Sequence, residues 1–207
     1  MTKKKNFSFC LLVALSMAAV VFNSCGQPAS SDKGVVINGV TWAICNVDVP
    51  GTFADAPEDA GMFYQWNRRT PWTASEDARP DWDSSLPDGD TWEKANDPSP
   101  DGWRLPTFDE IGKLLDTEKV STVWTSQNGV SGTKFTDKAT GNSLFLPAVG
   151  ILDYSDGRTD YAGTDGFYWS TEPYEDEGVV TLSISSNRTD WNPSYRSFAL
   201  TIRSVAE

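Results

Sequence analysis

Arg188, Trp191, Asn192, Tyr195 and Arg196 fall within the ten residues Asn187–Arg196 of a strongly acidic chain. Tryptophan, tyrosine and arginine are the side chains that dominate binding hot spots. A guanidinium can hold a carboxylate through two hydrogen bonds, and a tryptophan ring offers a flat apolar face with a polar tip, on which a sugar can stack. This grouping points to recognition rather than to bond-making. With Tyr174 added from upstream, these six residues form the expected ligand-binding set, working without a metal. The competing role for Trp191 is an anchor that ties its segment to the core.

Catalytic chemistry is narrowed by what the chain lacks. It has no histidine, which removes the commonest general base and the usual Ser-His and Cys-His nucleophile pairs. Two carboxylates could still hydrolyse a glycosidic bond, with Asp153, Asp156, Glu172 and Glu175 as candidates. Twenty-nine acidic residues make accidental pairs common, however, and none has an apolar sequence setting that would raise its pKa. The expectation is a non-enzymatic binding module with no cofactor, and a carboxylate-dependent glycoside hydrolase is the alternative. Nucleic acid is excluded as a partner by the net charge of −12, since such a surface repels phosphates.

These residues must be positioned by a folded body, and the abundance of aromatics (nine Trp, ten Phe, six Tyr) argues for one. Val35-Val36-Ile37 and Val40–Val47 read as strands around an Asn38-Gly39 hairpin turn. Met62–Trp66 is a further strand candidate. Residues 70–101 form a long proline-rich stretch in which Trp72, Trp82 and Trp92 predict an ordered loop pinned by its own rings. Thr107-Phe108-Asp109-Glu110 is a capping box opening a helix over Thr107–Asp116, with Phe108, Ile111, Leu114 and Leu115 as its apolar stripe. Strands follow at 122–125, 133–136, 143–146, 166–170, 179–184 and 198–205, and the segment 187–196 reads as a polar-aromatic loop between the last two. Val180, Leu182 and Ile184 alternate, as do Phe198, Leu200 and Ile202, which suits half-buried antiparallel strands. The expected class is α+β, with Val40–Val47 and Phe198–Val205 paired so that the domain's ends meet.

The first residues have a different purpose. Lys3-Lys4-Lys5 followed by the apolar run Phe7–Phe22 and then Asn23-Ser24-Cys25-Gly26 has the layout of a secretory signal, too short for a comfortable membrane span. Phe22-Asn23-Ser24-Cys25 resembles the relaxed lipobox of Bacteroides-type lipoproteins, although Phe22 stands where the stricter motif has Leu. The expected organisation is a signal peptide over 1–24, a lipid-anchored tether over 25–34 beginning at acylated Cys25, and one domain over 35–207. Such a chain would sit in the cell envelope, held to the outer membrane by its acyl chains. Gln27–Lys33 holds only Asp32 as an acid, so the membrane face is left open. Removing 1–24 takes three lysines and no acid, which leaves a mature net charge of −15. Cys10 would leave with the signal and Cys25 would be lipidated, so Cys45 is expected to be a lone, buried thiol.

Several motifs together resemble the Fibrobacter succinogenes major paralogous domain family. They are Ile37-Asn38-Gly39-Val40-Thr41-Trp42-Ala43, Asn46-Val47-Asp48, Tyr64-Gln65-Trp66-Asn67, Trp92–Pro98, Gly102-Trp103-Arg104-Leu105-Pro106-Thr107, Leu146–Gly150, Gly166–Thr171 and Phe198–Val205. They occur in order over about residues 35–207. The resemblance implies a C-type-lectin-like fold with antiparallel sheets, one helix and long loops. Cysteines common in that family fall at Ser99 and Ser204 here, so the resemblance also implies that a disulfide has been replaced by two serines. Among relatives of that fold, oxidase chemistry needs a cysteine pair that this chain lacks near its end. Calcium lectins use Glu-Pro-Asn and Trp-Asn-Asp, where this chain has Glu172-Pro173-Tyr174 and Asp190-Trp191-Asn192-Pro193. With so few hard oxygen ligands, a calcium-dependent lectin is a secondary alternative and no metal site is expected. In variable receptor proteins with that fold, the segment matching 187–196 carries the receptor residues.

Overall fold

The computed structural model describes residues 34–87, 89, 91–175 and 178–207; the signal peptide, Cys25 and the tether up to Lys33 lie outside them. The described chain opens with strands β1 (Gly34–Ile37) and β2 (Val40–Ala43), followed by β3 (Tyr64–Gln65) and β4 (Trp103–Arg104). Helix α1 (Phe108–Leu114) precedes β5 (Val120–Gln127), β6 (Val130–Asp137), β7 (Ser143–Pro147), β8 (Ile151–Leu152) and β9 (Thr159–Asp160). Then come β10 (Asp165–Tyr174), β11 (Gly178–Ser185), β12 (Thr189–Tyr195), β13 (Ala199–Leu200) and β14 (Val205–Ala206).

These strands form four small antiparallel sheets, in the orders β1-β2-β14-β4, β10-β11-β12, β3-β13-β8-β9 and β5-β6-β7. The protein is therefore mainly β, and the expected α+β, C-type-lectin-like architecture is corrected. The reason is one of scale. The helix spans seven residues, two turns that plug one side of a β body and cannot build a layer of their own.

Local signals explain most of the elements. Asn38 and Gly39 take φ of 45° and 78°, the left-handed pair of a tight hairpin, and join β1 to β2. The capping box is closed in both directions: Thr107 Oγ1 accepts from the Glu110 amide at 3.3 Å, and the Thr107 amide donates to Glu110 Oε2 at 2.8 Å. Arg104 grips the same carboxylate with two bonds, at 2.8 and 2.7 Å. Burial pulls the Glu110 pKa up, but the hydrogen bonds from Arg104 and Thr107 outweigh it and hold the carboxyl below its ordinary range.

The ends of the domain meet as expected. Val205 pairs with Trp42, the Ala43 amide donates to Ser204 O at 2.8 Å, and the Val47 amide donates to Ile202 O at 3.0 Å. One core cluster gathers Trp66, Trp103, Trp169 and Leu200; a second gathers Trp42, Ile111, Leu114, Phe135 and Tyr168. Arg203 lies between these clusters, 1% exposed. Its Nε donates to Asn46 Oδ1 at 2.9 Å, and its terminal nitrogens donate to the carbonyls of Ala43 and Pro57, each at 3.3 Å. Burial lowers its pKa to about 10, which leaves it charged at neutral pH.

The loop 70–101 is ordered by rings in its described part. Trp72 and Trp82 lie 5.1 Å apart, Arg79 sits over Trp72, and Trp82 Nε1 donates to Tyr154 O at 2.8 Å. Trp92 packs edge-on against Trp66 at 5.8 Å. Ser99 Oγ and Ser204 Oγ are hydrogen-bonded at 2.7 Å, at the two positions where the family resemblance implies a disulfide. Cys45 is buried, but it is disulfide-bonded, with its partner outside the described residues; the expected lone thiol is corrected. That expectation had assigned the other two cysteines to maturation chemistry.

Candidate functional site

The segment 187–196 is a strand rather than a loop. β12 pairs along its whole length with β11, from Ile184↔Thr189 to Gly178↔Tyr195. It is an edge strand, and an edge tolerates Pro193, whose missing N–H would break a central ladder. Half-exposure on both faces hides the usual alternation of polar and apolar residues.

Trp191 lies opposite Leu182, which itself faces the buried Tyr168. The Trp191 ring is half-buried and meets two neighbours, Phe108 at 5.6 Å edge-on and Tyr174 at 5.9 Å tilted. Beside them a cleft of about 390 Å³ is lined by Phe108, Asp109, Glu172, Pro173, Tyr174 and Val180. Phe108 was expected in the helix's core stripe. It occupies the first helical position, beyond the edge of the core, and is 37% exposed.

Tyr195 marks the other end of the strand, four residues or roughly 13 Å along. It is 58% exposed, stacks at 6.1 Å on Phe198, and is joined there by Tyr154, whose ring meets Phe198 edge-on at 5.3 Å. Tyr154, Tyr195, Leu86, Ser84 and Ser197 line a second cleft of about 400 Å³ with no charged side chain among them. Leu86 brings the long loop into the surface.

The six expected residues are thus divided. Trp191 and Tyr174 touch, and Tyr195 belongs to the second cleft. Asn192 follows Trp191 onto the opposite face of the strand, where its carbonyl accepts from Thr181 Oγ1 at 2.6 Å. Arg188 stands exposed near the hairpin turn and donates to Asp190 at 3.2 Å. Arg196 is corrected: it is 4% exposed, its guanidinium sits 4.6 Å over the Trp66 ring, and Nη1 donates to Gly89 O at 2.6 Å. It supports the site from beneath. Phe108, Tyr154 and Leu86 were missed as surface residues; the one sequence signal was an aromatic inside the polar turn Asp153–Gly157.

A larger cleft of about 700 Å³ lies by Trp92, Trp103, Arg69, Lys94, Asp97, Glu207 and neighbours. Two of its acids are committed: Asp97 accepts from the amides of Ser99 at 2.8 Å and Leu105 at 3.1 Å, and Glu207 pairs with Lys94 at 2.8 Å. Of the calcium candidates, Asp190 is occupied by Arg188 and by the Trp191 amide. Among the described residues no group of three or more His, Cys, Asp or Glu could hold a metal ion, and no helix is long and apolar enough to cross a membrane. No family model matches the chain, and neither a curated protein nor a solved structure matches it.

Proposed function

We propose that this chain is a cell-envelope lipoprotein, anchored through acylated Cys25, whose folded domain binds a glycan or protein ligand along β12 without catalysis. The observation that carries the binding reading is the placement of exposed and half-buried aromatics along one edge strand: Phe108 and Tyr174 around the Trp191 ring, and Tyr154 beside Tyr195. Exposed apolar groups that gather in clefts, rather than scatter singly, mark interaction sites. The hydrogen-bonded Ser99–Ser204 pair supports kinship with the Fibrobacter paralogous family, whose cysteines fall at these positions.

A glycan array and a cell-surface pull-down with the purified chain, each run with and without chelator, test this. Trp191→Ala is expected to weaken binding by at least about 2 kcal/mol while the fold is kept. Normal binding by folded Trp191→Ala and Tyr195→Ala variants would place the site elsewhere. Chelator sensitivity would move it to a metal.

The anchor has its own test. Labelled fatty acid enters the wild type and is lost in Cys25→Ser.

A further inference from the structure

The sheet β5-β6-β7 ends in an edge that lacks the usual protection. Natural edge strands are shortened, charged, interrupted by proline or covered. β12 carries Pro193, and the outer side of β10 is taken up by the Trp169 amide bonding Thr201 O and the Thr171 amide bonding Pro106 O. β5 has neither device. It runs eight residues, Val-Ser-Thr-Val-Trp-Thr-Ser-Gln, with no charge and no proline. Val123 at its centre is 58% exposed.

The hairpin identifies which backbone groups are free. Asn128 and Gly129, with φ of 48° and 87°, form a two-residue turn closed by the Gln127↔Val130 pair. That closing pair is hydrogen-bonded across the turn. Bonding alternates along an antiparallel ladder, so Ser121, Val123, Thr125 and Gln127 bond to β6. Thr122, Trp124 and Ser126 turn their N–H and C=O groups outward, where they have no hydrogen-bond partner among the described residues.

We propose that this edge pairs with the same edge of a second copy, antiparallel about a two-fold axis, to make a continuous six-stranded sheet. Such pairing must bring outward residue to outward residue, and a two-fold axis at Val123 does so. It sets Thr122 opposite Trp124 of the second copy, twice, and Val123 opposite Val123. Aromatic–β-branched pairs of this kind are favourable, and the exposed valine is covered. Charge favours a second copy at this place over others on the surface. The chain's net charge is −12, yet β5 carries none, and its exposed neighbours Lys119 and Lys134 balance Glu118 and the Glu58 carboxylate that accepts from the Gln127 and Asn128 side chains. Two-fold pairing uses up the edge on both copies, so assembly closes at a dimer. One strand pair falls short of the roughly 1,200 Å² of a standard stable interface, which makes this a weak, concentration-dependent dimer.

Sedimentation of the purified full chain up to about 1 mM, with amide exchange read at both ends of the range, tests it. Expected are a monomer–dimer equilibrium and slowed exchange, on concentration, at Thr122, Trp124 and Ser126. Ser121, Val123 and Thr125 should already be protected in the monomer. Val123→Lys, a change at an exposed position, should keep the fold and shift dimerisation at least tenfold toward monomer. A protein that stays monomeric throughout overturns the proposal. So does a dimer that forms equally well in Val123→Lys, or protection of the alternate amides only when a synthetic valine- and threonine-rich octapeptide is added.

Discussion

Two consecutive stretches near the end of the chain treat the same kinds of side chain in opposite ways. In β12, residues 189–195, every side chain keeps contact with solvent, and the Arg188 side chain just before it reaches only Asp190 among the described residues. In the closing stretch from Arg196 to Val205, two arginines are 4% and 1% exposed and are fixed by rings and carbonyls. Composition does not separate the stretches; connection to distant parts does. Arg203 reaches Asn46, Ala43 and Pro57, so it ties the last segment to the first. β12 answers to its own sheet, to Phe108 and, at Tyr195, to the nearby Phe198. The rigid stretch holds the body together and the loosely tied one is free to present its rings.

The sharpest way to break this contrast is to remove Arg203. Arg203→Ala leaves a cavity and strands Asn46 and two carbonyls, a loss expected at about 3–5 kcal/mol in urea unfolding. Arg188→Ala should stay within about 0.5 kcal/mol of wild type. Equal effects from the two would dissolve the distinction.

The same contrast explains what could be read in the sequence. The Asn38-Gly39 turn, the capping box at Thr107 and the alternation of Val180, Leu182 and Ile184 are local signals, and the elements stand where those signals put them. The meeting of the first and last strands was legible because both are apolar runs. The strand at 189–195 was not, since an edge strand exposed on both faces has no alternation and admits Pro193. The burial of Arg196 depends on Gly89, 107 residues away, and on Trp66, which no window of sequence displays. The class was overstated because a clear helix signal says nothing of how small a share of the body that helix will be. The candidate site was half legible: its tryptophan and two tyrosines were visible, while its partners Phe108, Tyr154 and Leu86 come from three other segments.

A second change should strengthen the closing stretch. With the Ser99 and Ser204 hydroxyls 2.7 Å apart, the double variant Ser99→Cys/Ser204→Cys is expected to close a disulfide. The oxidised form should gain about 2–4 kcal/mol over its reduced form. If the bridge fails to form under oxidising conditions, the two side chains are not held together in solution. Arg196→Ala probes the junction of the stretches. Loss of the guanidinium from the Trp66 face and from Gly89 O should cost about 2 kcal/mol, with weaker ligand binding through displacement of Tyr195. A cost near that of Arg188→Ala would move the boundary to the far side of Arg196.

The smallest expected effect concerns the support that helix α1 gives β12 through Phe108 at its first position. Glu110 closes the capping box and receives both bonds from Arg104. Its folded pKa lies below the ordinary 4.5, so the folded state favours the ionised form. The stability it contributes is full above about pH 4.5 and disappears as pH falls through the lower, folded value. Glu110→Gln is therefore expected to cost about 1 kcal/mol at pH 7, in a partly screened setting where the ion pair itself adds little. The gap between variant and wild type should narrow steadily below pH 4.5 in acid unfolding curves. If the gap is the same at pH 3 and pH 7, the carboxylate's charge is not what holds the helix. Phe108 would then be kept against Trp191 by packing alone.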